Sequence, residues 1–106
     1  MNEIVVLAKA RAKKGSEEGL EKAAREVMAP THAEPGCLKY SFNRSLEDPS
    51  LFVMIECWTT QEALQKHLAS PYIQDLFKKL PALLESPMEI ATFRTVSGGN
   101  SEKGSL

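Results

Sequence analysis

The chain has 106 residues, 42% of them apolar and 25% charged, with a formal net charge of −1. That length suits a single domain burying roughly two thirds of its unfolded surface, and so small a charge gives no reason to expect nucleic acid or an anionic membrane as a partner. No apolar run is longer than Ile4 to Ala8, far below the roughly 20 residues of a membrane span, and the N-terminus lacks the features of a signal peptide, so a cytoplasmic location is the expectation.

Glu3 to Ala12 starts with β-branched residues and then alternates small apolar with basic ones, which predicts a strand that becomes half exposed. Ser16 follows as an expected helix cap, with Glu17 and Glu18 in the first turn. Leu20, Ala23, Ala24, Val27 and Met28 then recur on one helical face. Pro30 is expected to end or kink this helix, and Glu34-Pro35-Gly36 to turn the chain.

Cys37 to Arg44 alternates, with Leu38, Tyr40 and Phe42 expected on one side and Lys39, Ser41 and Asn43 on the other. After a turn around Asp48-Pro49, Leu51 to Trp58 is nearly all apolar and reads as a central strand covered on both faces. Thr59 and Glu62 offer a capping box for the next helix, and Ser70-Pro71 restarts it with a stripe of Ile73, Leu76, Phe77 and Leu80 that Pro81 should end. Met88 to Val96 predicts the last strand, and the polar Ser97 to Leu106 a disordered tail.

The order β-α-β-β-α-β predicts an α+β fold of the ferredoxin-like type over residues 1–96, with an antiparallel sheet and both helices on one face. The uncovered sheet face retains apolar residues, so packing of two copies into a homodimer is expected. Cys37 and Cys57 form neither a metal cluster nor a redox pair. They read as free thiols, with pairing across the hairpin left open by the unknown register.

Few residues suggest chemistry. With Ala63 as zero and about 100° per residue, His67 falls at about 40°, within the apolar face of its helix. A desolvated neutral imidazole can accept a proton, and it can equally be a core group satisfied by one hydrogen bond. Alternation places Glu56 and Trp58 on one strand face with Phe52 and Met54. A carboxylate there needs a partner, Arg44 or Arg94 being the candidates, or a pocket; the indole either packs in the core or stacks on an aromatic ligand. Tyr72, Tyr40 and Asn43 are weaker candidates with packing or turn roles as alternatives. There is no phosphate loop, metal-ligand spacing or nucleophile elbow, so no cofactor is expected.

Three segments in this order, Glu34-Pro35-Gly36-Cys37-Leu38-Lys39-Tyr40, Phe52 to Trp58 and His67-Leu68-Ala69-Ser70-Pro71-Tyr72, resemble the antibiotic biosynthesis monooxygenase family across about residues 3–96. The resemblance implies a dimeric α+β barrel whose subunits each hold a cleft between helices and sheet. It also implies oxidation of aromatic phenols or quinols by molecular oxygen without flavin, haem or metal. Such a substrate can itself reduce oxygen once deprotonated, leaving the protein to supply a base, a shape and a dry site. His67 would be the base and Trp58 the aromatic wall, with Tyr72, Glu56, Asn43 and Tyr40 contacting substrate.

The chain also departs from relatives. Tyr72 stands where many carry a second histidine, and Met54 where some polyketide-tailoring members carry asparagine. Phe77 aligns with the iron-ligating histidine of the haem-degrading branch, which argues against haem. Isomerisation of a small signalling molecule and non-catalytic ligand binding in a stress response are the alternative functions.

Overall fold

The computed structural model describes residues 3–106; residues 1 and 2 of the expected domain lie outside the described residues. Its elements are β1 (Ile4–Arg11), α1 (Glu17–His32), β2 (Cys37–Arg44), β3 (Leu51–Trp58), α2 (Gln61–Ala69), α3 (Pro71–Leu83) and β4 (Glu89–Phe93). The sheet is antiparallel throughout, in the order β2-β3-β1-β4, which is the expected ferredoxin-like α+β arrangement.

Register assigns the two sheet faces. Val6 pairs with Glu56 and Thr92, Ala8 with Met54 and Ile90, and Tyr40 with Glu56, so these side chains share the face that the helices cover. On β1 and just past its end that face carries Ala8, Ala10 and Ala12, all buried, and their small size lets Leu20, Ala23 and Val27 of α1 join one core with Phe52 and Trp58. The opposite face carries Val5, Leu7, Val53, Ile55 and Phe93, with Leu7 39% and Phe93 49% exposed.

Several local expectations shift by a residue or two. Pro30 and Pro81 lie inside the last turns of α1 and α3 rather than at their ends, because the next free amides still find acceptors: Ala33 N donates to Ala29 O and Leu84 N to Leu80 O. Ser16 and Ser70 occupy the cap positions without a side-chain cap bond; the Ser70 hydroxyl donates to His67 O instead. Thr60, not Thr59, caps α2, its Oγ1 accepting from Ala63 N at 3.0 Å. Leu38 is 45% exposed and leaves the face of Tyr40. A bulge between Cys37 and Lys39 sets Cys37 opposite Trp58 and Lys39 opposite Cys57, so Leu38 has no partner. Cys37 and Cys57 are both free.

The Glu34-Pro35-Gly36 turn is clamped to the start of α2. Thr59 N donates to Gly36 O at 2.9 Å. A Cβ added at Gly36 would collide with Ala63 Cβ and sit 3.0 Å from Thr59 Oγ1, so only glycine lets the turn approach the helix this closely. Gly36→Ala should therefore lower the unfolding free energy by about 1–3 kcal/mol, read from the denaturant midpoint. An unchanged midpoint would show that the turn can move aside freely.

Candidate active site between the helices and the sheet

Helical phase turns His67 inward, and its ring is 2% exposed. Nδ1 lies 2.9 Å from Glu34 Oε2, on the turn that Gly36 holds against α2. The same carboxylate oxygen accepts the hydroxyl of Tyr72, from the first turn of α3. A carboxylate offers only acceptors, so Nδ1 carries a proton, and in the neutral ring Nε2 has the lone pair. Nε2 makes no hydrogen bond to the protein among the described residues, and His67 lines a cavity of about 150 Å³. The result is an oriented imidazole able to accept a proton from a bound molecule.

Two aromatic rings hold the imidazole from the other sides. The Trp58 ring centroid lies 4.5 Å away, tilted by 37°, and the Tyr40 ring stands edge-on at 5.4 Å. Trp58 is completely buried, and its indole Nε1 donates to Glu56 Oε1 at 2.9 Å. That indole is the partner of Glu56, in place of the expected Arg44 or Arg94. Arg44 turns to Glu18, Glu21 and the Pro49 carbonyl. Burial pushes the Glu56 carboxyl above its ordinary range, against the opposing pull of the Trp58 hydrogen bond and of His67. Burial also raises the Tyr40 and Tyr72 phenols, the latter helped by its bond to Glu34, so both stay protonated at neutral pH.

The cavity walls come from the sheet (Ala8, Tyr40, Met54, Glu56) and from α2 and α3, including Leu64, Ile73 and Phe77, with the exposed Gln61 and Gln65 among the lining residues. Space exists there because β1 contributes only Ala8 opposite Met54. Of the sequence-predicted residues, the structure brings together His67, Glu56 and Tyr40 on the cavity, Trp58 behind the imidazole, and Tyr72 on its far side through Glu34. Asn43 is not brought to it. Its phase places it on the uncovered sheet face, where Nδ2 donates to Val53 O and Ser41 Oγ, so it does not contact the cavity. Glu34 is the residue that sequence reading missed: it passed as part of a turn. The available signal was its place just before β2, whose first residue pairs with Trp58.

A family model described as antibiotic biosynthesis monooxygenase matches residues 3–79. The uncharacterized protein sll1783 of Synechocystis is 31% identical over 91 residues, covering 86% of this chain; the chain spans 62% of that relative's length. The crystal structure of PA3566 from Pseudomonas aeruginosa superposes with a TM-score of 0.86 at 30% identity, covering 92% of this chain and 97% of that one. A crystal structure described as an antibiotic biosynthesis monooxygenase gives a TM-score of 0.83 at 26% identity, covering 89% of this chain and 99% of that one.

The raised Glu56 carboxyl has a stability signature. A carboxyl more easily protonated when folded contributes most below the ordinary carboxylate range, and that contribution falls as pH rises toward its folded value. Glu56→Gln keeps an acceptor for Trp58 and removes the buried charge. The variant should match the parent in melting temperature near pH 4 and exceed it near pH 8; equal differences at both pH values would contradict a desolvated carboxylate.

Proposed function

The chain belongs to the antibiotic biosynthesis monooxygenase family, and from that premise we propose that it oxidises a small quinol or aromatic phenol with molecular oxygen, the substrate supplying the electrons. The observation that carries this reading is the imidazole of His67 on a mostly apolar cavity, its Nδ1 bound to Glu34 and its Nε2 without a protein hydrogen bond among the described residues. His67 Nε2 takes a proton from the substrate hydroxyl, and the Glu34 carboxylate stabilises the imidazolium that results. The quinolate then passes one electron to oxygen, and the two radicals join a ring carbon to one oxygen atom. The imidazolium returns its proton to the outer oxygen. Loss of the proton from that ring carbon breaks the O–O bond, leaving a carbonyl on the ring and releasing water. The balance is one quinol and one oxygen molecule to one hydroxyquinone and one water.

The other residues bind and shield. Trp58 and Tyr40 fix the imidazole plane. Glu56 engages the indole through one oxygen and lines the cavity, and in this reading its second oxygen accepts a substrate hydroxyl. A mostly apolar lining suits an aromatic ring and limits water around the reactive intermediates. Two copies pairing through the uncovered sheet face would bury Leu7, Ile55 and Phe93 and complete a dimeric barrel.

With a panel of quinols, oxygen consumption should exceed the uncatalysed background, and His67→Ala should reduce it by about 10²- to 10⁴-fold. Glu34→Gln should fall between the two with KM little changed, as expected of a positioning residue. No oxygen uptake combined with His67-dependent exchange of a carbon-bound hydrogen for deuterium would favour an isomerase instead. Sedimentation equilibrium should return a dimer mass for the parent chain and a monomer mass for Leu7→Lys/Phe93→Lys; a monomeric parent would remove the barrel.

A further inference from the structure

The cavity beside His67 shares a wall with a larger concavity. Phe77, Met88 and Ile90 line both, and the second space, about 530 Å³, lies between α3 and β4. Its remaining walls are chiefly Leu80, Pro81 and Leu84, and its polar lining consists of Glu85 and Ser86, both in the connection from α3 to β4. Ile90 shares the helix-covered sheet face with Ala8, yet it is 53% exposed. A large apolar side chain left in water on the inner face of a sheet marks a surface that something apolar covers.

Size separates the two spaces. An apolar cavity of about 150 Å³ holds one benzene-sized ring and no more. The adjoining groove is several times larger, and its walls near the cavity offer no hydrogen-bond partner from a side chain. A substrate carrying a sugar or carboxylate next to its ring would leave those groups unpaired against Leu80 and Leu84. We propose that cavity and groove are one substrate site, and that the substrate is a single-ring phenol or quinol bearing an extended apolar tail, the ring at His67 and the tail between α3 and β4. This rests on the reading of the cavity as a phenol or quinol site.

The chain contains one tryptophan, Trp58, which packs against His67, so its emission reports on the surroundings of that imidazole. Titration without oxygen with 4-methylphenol, 4-butylphenol and 4-octylphenol should show Kd falling about fourfold per added methylene until the groove is filled. Pro81→Glu and Pro87→Glu, both exposed and lining the groove but not the cavity, should each flatten that dependence and leave Kd for 4-methylphenol unchanged. A chain-length-independent Kd in the parent, as when a second copy of the chain fills the groove, overturns the proposal. So does an equal slope in both variants, or no change in Trp58 emission with any alkylphenol. Consumption of methylhydroquinone with a flat chain-length series would sink the tail and leave the monooxygenase standing. A steep series without oxygen uptake would do the reverse.

Discussion

The carboxylate of Glu34 ties together three parts of the chain that would otherwise be independent. It sits on the loop between α1 and β2 and receives the Nδ1 proton of His67 from α2 and the hydroxyl of Tyr72 from α3. Each bond is charge-assisted, and Glu34 is itself only 17% exposed, so the bonds are weakly screened. One oxygen thus sets the tautomer of the imidazole, fixes the phenol of Tyr72 and closes the end of the site where α2 hands over to α3. Its position depends on Gly36 in turn, since a side chain there would push the loop away from Ala63.

Two carboxylates flank His67 in unlike surroundings. Glu34 is bound by two donors, whereas Glu56 has one indole donor and a largely apolar setting that pushes its carboxyl upward. The charge on Glu34 adds to that push. One carboxylate behind the imidazole is held by two donors, and a second beside it is desolvated, so the two meet the cavity with different chemistry. This is the usual way environments divide acid and base roles between similar side chains.

Most of the fold was legible because the relevant signals are local. Strand alternation located β2 and β3 to the residue, the 3.6-residue period gave the buried face of α1, and helical phase turned His67 inward. The errors arose where a nonlocal partner decides. Thr59 and Thr60 are both competent caps, and docking of the preceding loop selects Thr60. Asn43 is a different case, since alternation along β2 already set it opposite Tyr40 and it lies on that far face. Glu34 belongs to the site only through contacts across more than thirty residues of chain, which neither period nor propensity records. Leu38 follows the alternation of β2 on paper and loses it to the bulge.

That bulge makes loop length part of the chemistry. Were the same residues paired regularly with no bulge, Leu38 rather than Cys37 would stand opposite Trp58, and everything before it would be drawn one position along the strand. Glu34 would then be drawn away from His67, and Gly36 from Ala63. A single-residue insertion or deletion between Gly36 and the bulge therefore acts on two contacts at once, the approach of Gly36 to Ala63 and the bond of Glu34 to His67, where a substitution acts on one. In comparing related chains, the number of residues across this turn is as informative about the site as the identity of the residues that line it.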